Sequence, residues 1–131
     1  MSVTLFVNGT LMRNLPLHVN LTGAEFIGEY QTAPIYRIYS INDIHPGMFE
    51  LNAGETGGVS VTGEIYSMSD EVWAKVEAGE PPNLYRGTVK LEDASTVDGI
   101  LFPRVLAEDP DRGYIDISSF GSWRAYMEFK H

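Results

Sequence analysis

Strand-forming runs outnumber helical ones along this chain, and most follow one another with no helix between them. That order constrains the fold more than any other feature. The first run, Val3-Thr4-Leu5-Phe6-Val7, is apolar and rich in β-formers, and Asn8-Gly9 ends it in a tight turn. Residues 11–22 carry Leu11, Leu15, Leu17, Val19 and Leu21, but Pro16 interrupts them, which allows a helical turn or two and no long helix. Glu25 to Gln31 and Ile35 to Ile41 read as strands flanking Thr32-Ala33-Pro34. Pro46-Gly47 reads as a turn, Met48 to Leu51 as a short strand, and Asn52 to Gly58 as a glycine-rich hairpin loop. The plainest alternation runs from Val59 to Tyr66. It sets Val59, Val61, Gly63 and Ile65 on one face and Ser60, Thr62, Glu64 and Tyr66 on the other.

Ser69 then caps a helix whose Val72, Trp73 and Val76 share a face, and Gly79 with Pro81-Pro82 ends it. Tyr85 to Leu91 and Val97 to Phe102 are strands around a turn at Asp93 to Thr96. Glu108 to Gly113 is a polar loop. Ile117, Phe120, Trp123, Arg124 and Met127 recur at helical spacing and close the chain with an amphipathic helix. The pattern predicts an α+β fold: a curled mixed sheet or small barrel, with helices bearing Trp73 and Trp123 packed outside it. With 131 residues, 44% of them hydrophobic, one core is enough, and residues 1–131 are expected to form a single domain.

A net charge of −9, with nine basic residues scattered from Arg13 to Lys130, argues against nucleic acid or an anionic membrane as partner. No apolar run is long enough to span a bilayer, and the first residues lack a basic leader segment. There is no cysteine, hence no thiolate chemistry, and a cytoplasmic location is expected. The three histidines, His18, His45 and His131, are far apart without ligand spacing, so neither a metal nor a cofactor is expected. His131 reads as a solvated terminus, His45 as an exposed turn residue and His18 as a helix-surface residue.

Three places carry chemistry. A strand that ends in Asn8-Gly9-Thr10-Leu11 exposes successive backbone N–H groups, an acceptor site for a carboxylate or amide oxygen. An ordinary strand-ending turn is the alternative reading. Glu80, between a helix end and two prolines, is placed to point a carboxylate toward a cavity as a general base. Glu77 lies one turn earlier and Glu64 on the preceding strand, and any of the three can equally be a solvated charge. Arg124 and Trp123 either line a pocket or simply pack and snorkel.

Leu5 to Arg13 resembles the Tyr-Gly-Thr-Leu opening of the γ-glutamylcyclotransferase-like (AIG2-like) superfamily, and Gly63-Glu64-Ile65-Tyr66, the helix after it and Leu84-Tyr85-Arg86 match its downstream pattern. A closer resemblance is to the C-terminal domain of allophanate hydrolase. It rests on Leu15-Pro16-Leu17, on Thr32 to Tyr39, on Pro46-Gly47, on Gly87 to Leu91 and on the Phe-Gly-Ser-Trp-Arg-Ala-Tyr run within Asp116 to Met127. The resemblance implies a γ-glutamylcyclotransferase-like mixed β-barrel or curled sheet with flanking helices and a cavity at its mouth. It implies that Gly9, Thr10 and Leu11 bind substrate through backbone amides, and that a Glu ahead of Tyr85 moves the proton. Reaching Glu80 takes a one-residue gap; without it Gly79 falls there. Asn8 stands where cyclotransferases have Tyr. Gly9-Thr10-Leu11-Met12 replaces the Gly-Ala-His-Leu opening of the allophanate hydrolase domain, which is implicated in decarboxylating an N-carboxy product and generally lacks that Glu.

Two functions follow. One is an enzyme acting on a small carboxylated amide or N-carboxyurea-type metabolite, with Glu80 as base and a pocket bordered by Asn8 to Leu11, Tyr36 and Tyr85. That pocket is expected to admit an amino-acid-sized ligand. The other is a non-catalytic module that binds a small metabolite or docks onto an amidase in trans.

Overall fold

The computed structural model describes all residues except Met1, Asn14, Pro16, Leu17, Pro82 and His131, and omits the side chain of Asn20. The readings placed on Pro16, Leu17, Pro82 and His131 therefore lie outside the described residues. The rest forms an α+β fold of two sheets with flanking helices.

The opening apolar run becomes β1 (Ser2–Val7), whose Leu5 and Phe6 are fully buried. Buried on both faces from Leu5 to Val7, it takes the centre of a five-stranded sheet. On one side β1 pairs antiparallel with β5 (Thr62–Ser69), which in turn pairs with β2 (Glu25–Gln31). On the other it pairs parallel with β7 (Thr96–Leu101), which forms a hairpin with β6 (Tyr85–Lys90). A second sheet holds β3 (Tyr36–Ile41) between β4 (His45–Glu50) and the two-residue β8 (Ile115–Asp116).

Four details correct the sequence reading. The β3–β4 turn falls at Asn42-Asp43, both with positive φ (57° and 59°), and Pro46-Gly47 lies inside β4. Asn and Asp tolerate that backbone, and an edge strand such as β4 tolerates a proline that donates no hydrogen bond. Second, no barrel closes. The large sheet curls until its edges touch at one end, where Thr32 pairs with Leu91 and the Ala33 N–H donates to the Lys90 carbonyl at 2.9 Å. Closure would need that pairing along the whole strand, and a bulge between Phe26 and Gly28 breaks the regularity of β2. Third, β5 is buried on both faces, so Glu64 and Tyr66 are as enclosed as Ile65. Fourth, Arg104–Ala107 adds a short helix in a stretch that held no helical signal.

The first helix, α1 (Asp70–Ala78), starts where the Ser69 hydroxyl accepts the Val72 N–H at 3.2 Å, and it stops at Gly79. Its Val76 is fully buried and its Trp73 half-buried. Calling the 104–107 helix α2, the last is α3 (Trp123–Lys130). It follows a 3-10 turn at Ser118–Phe120 and the left-handed Gly121 (φ 72°), and it turns Trp123 into the core. No helix among the described residues is long and apolar enough to cross a membrane.

Gly63 shows how closely β1 and β5 approach. A Cβ there would lie 2.5 Å from both the Phe6 ring and the Val7 carbonyl oxygen. Gly63→Ala is expected to lower the unfolding free energy by ~1–3 kcal/mol, the usual cost of overpacking. Urea unfolding should show an earlier midpoint with unchanged slope. An unmoved midpoint would mean that this contact yields freely.

Candidate functional site

Where β1 ends, the chain turns under the second sheet. The Met12 N–H donates to the Gly9 carbonyl at 3.0 Å and closes the turn, while the N–H groups of Gly9, Thr10 and Leu11 have no acceptor among the described residues. Gly9 is needed here because a Cβ would meet the Pro46 ring at 2.6 Å. Asn8 is buried, and its amide donates to the Met48 sulfur at 3.3 Å. His18 steadies the turn from outside, with Nδ1 3.0 Å from the Leu11 carbonyl.

Residues 7–11 border a cavity whose other walls are His45, Pro46, Glu80, Leu84 and Ile100. Its enclosed part is about 20 Å³, room for a single water-sized group; with the open mouth counted, the empty space reaches about 290 Å³. An amino-acid-sized ligand would therefore lie mostly in the mouth.

Glu80 reaches this cavity from the segment after α1. Its Oε1 is sealed from solvent and has no partner among the described residues, and burial raises the carboxyl pKa to about 7. Glu77 is exposed and lies outside the cavity wall. The structure thus brings Asn8, Gly9, Thr10, Leu11 and Glu80 to one place.

Two other expected residues are elsewhere. Tyr36 is fully buried on β3, where its hydroxyl accepts the Lys90 N–H at 2.8 Å and donates to Glu50 at 3.3 Å. Burial pushes that phenol up to about 12. It ties the two sheets together instead of lining the cavity. Tyr85 begins β6 and is 48% exposed, and its neighbour Leu84 lines the cavity. Tyr85 shares the face of the buried Val89, but it stands at the exposed start of the strand, away from the cavity wall.

His45 was missed. Instead of an exposed turn residue it is a buried strand residue on the cavity wall. The signal was the apolar run Met48-Phe49 just beyond it, masked by Pro46-Gly47. Arg124 is also elsewhere: its Nη2 donates to the Arg13 carbonyl at 2.8 Å and lies 3.6 Å from Glu64. Among the described residues no cluster of three or more His, Asp or Glu could hold a metal ion.

Residues 3–128 match the family model of the allophanate hydrolase C-terminal domain. A urea amidolyase of Lachancea kluyveri is 27% identical over 98% of this chain, which spans only 7% of that protein's length. A putative γ-glutamylcyclotransferase of Vibrio cholerae is 30% identical over 65% of this chain and 70% of its own. The crystal structure of c4763, a uropathogenic E. coli-specific protein, superposes with a TM-score of 0.88 at 40% identity, covering 100% of this chain and 99% of that one. The fold is γ-glutamylcyclotransferase-like, and with the match running almost from end to end, the chain belongs to the allophanate hydrolase C-terminal domain family.

Proposed function

We propose that residues 1–131 act as one domain that moves a proton on a small carboxylated amide, with Glu80 as base and the N–H groups of Gly9, Thr10 and Leu11 holding an oxygen of the substrate. One observation carries this reading: the sealed, unpartnered Oε1 of Glu80 belongs to the same cavity wall as those N–H groups. A buried polar atom left without a partner is costly, and such sites persist where a ligand or a reaction uses them.

Cyclisation of a γ-glutamyl amine illustrates the chemistry. The substrate α-amine attacks the γ-carbonyl carbon, a ring C–N bond forms, and the bond to the leaving amine breaks. Glu80 takes the proton from the attacking nitrogen and returns it to the departing one, while the first turn holds the developing oxyanion. A carboxyl with a pKa of about 7 is matched to that exchange at neutral pH. An N-carboxyurea-type metabolite would use the same two walls.

The test measures 5-oxoproline released from a panel of γ-glutamyl amines. Turnover should rise with pH through about 7 as Glu80 ionises. Glu80→Gln should cut it by about a hundredfold, with binding retained. Equal turnover in both proteins would remove Glu80 as base.

A second reading is a metabolite-binding or amidase-docking module that acts without turnover. Its support is that the urea amidolyases carry the matching stretch as a small part of a far longer chain. Ligand binding with no product from any substrate of the panel would favour it.

A further inference from the structure

Besides Glu80, His45 is the titratable side chain of the cavity wall, and the reaction above does not use it. Its Nδ1 lies 2.9 Å from the Pro46 carbonyl oxygen. A carbonyl oxygen only accepts, so Nδ1 carries the hydrogen and Nε2 the lone pair. His45 is 6% exposed and its ring lies 6.2 Å from that of Phe102, so it is held on both counts. Nε2 has no hydrogen-bond partner among the described residues. His45 borders both this cavity and a second hollow formed with Pro81, Asn83, Arg112 and Tyr114. Glu80 and Arg112 are thus the charged residues of the hollows it faces.

We infer that His45 is a ligand-binding residue whose Nε2, fixed as an acceptor by the Nδ1–H bond to Pro46, receives an N–H of the bound molecule. The inference rests on the proposed role of the first turn as the oxygen-binding wall and adds a demand on the ligand. The backbone N–H groups of the turn only donate and Nε2 only accepts. An amide, lactam, carbamate or ureido group presents a carbonyl oxygen and an N–H together and satisfies both. An ester or lactone of the same shape sets an oxygen lone pair against that of Nε2, and repulsion replaces the bond. Burial also pushes the imidazole pKa down, which keeps Nε2 free of a proton near neutral pH.

Two measurements test this. Nitrogen NMR of the free protein at neutral pH should show the hydrogen of His45 on Nδ1; a hydrogen on Nε2 overturns the inference whatever becomes of the catalytic reading. Titration then compares 5-oxoproline with the lactone in which oxygen replaces its ring N–H. The unmodified protein should bind the lactam at least about tenfold more tightly. His45→Asn can keep the bond to Pro46 but ends short of Nε2, and it should bind the two alike. His45→Gln carries an acceptor at the Nε2 position and should keep the preference. A lactam preference undiminished in His45→Asn overturns the inference. If neither compound binds, the cyclisation reading falls, and methyl carbamate against dimethyl carbonate decides: tighter binding of the carbamate, lost in His45→Asn, supports the role of His45, and any other result overturns it.

Discussion

Glu64→Ala should lower the unfolding free energy by about 3 kcal/mol or more, since it leaves two partly or fully enclosed donors without an acceptor at about 1–3 kcal/mol each, besides an empty space. Glu64 is 2% exposed, the only fully buried acid among the described residues. One carboxylate oxygen accepts the Arg13 N–H and the Tyr66 hydroxyl, each at 2.9 Å, and the other accepts Arg13 Nε at 3.0 Å. The Arg13 guanidinium is half exposed and keeps its hydration when Glu64 is lost, so the orphaned donors carry most of the cost. The effect should depend on acid. Burial alone would raise the Glu64 pKa, but the Arg13 and Tyr66 hydrogen bonds outweigh it and hold the carboxyl below its ordinary 4.5. A depressed acid stabilises the fold above its unfolded pKa and loses that contribution as pH falls through the folded value. The stability gap between the unmodified protein and Glu64→Gln should therefore hold from neutral pH to about 4.5 and narrow below it. A gap that is flat down to the acid transition would exclude an ionised Glu64 as its source.

Trp123→Ala should cost ~3–5 kcal/mol, the range for emptying a large aromatic site in a packed core. Trp123 is 2% exposed at the start of α3, and its ring lies 5.9 Å from that of Tyr126. α3 is also fastened by Tyr126 and Lys130, which both bond Asp43. Tryptophan fluorescence reports the change directly, because Trp73 is the only other indole. Since Arg124 grips the Arg13 carbonyl next to Trp123, loosening α3 should also disturb the first turn. A variant with the parent's urea midpoint would show that α3 adds little to the core.

What the sequence made legible follows from the range of each signal. Val3 to Val7 and the Ser69-capped helix were readable because their periodicity and capping are local properties. So was the position of Glu80, pinned between Gly79 and Pro81. Tyr36 was misplaced because a strand's period says that residues alternate, not which face meets the cavity, and Tyr85 because that period does not say where along a strand the cover ends. That depends on the neighbouring strand. Glu64 looked like a surface acid because its three bonds come from Arg13, fifty-one positions away, and from Tyr66. His45 was hidden by its proline, which signals a turn everywhere except on the edge of a sheet.

The parallel pairing of β1 with β7 has a consequence for how the molecule is made. The central strand precedes both of its neighbours along the chain, with residues 8–61 between it and β5 and residues 8–95 between it and β7. At roughly 5–20 residues per second, the ribosome leaves β1 with one bare apolar edge for about 5–20 s until residue 101 emerges. The many non-local contacts make final assembly slow as well. An interrupted product ending before β7 therefore carries an open strand edge, whose unpaired backbone groups are the feature that draws chains into aggregates.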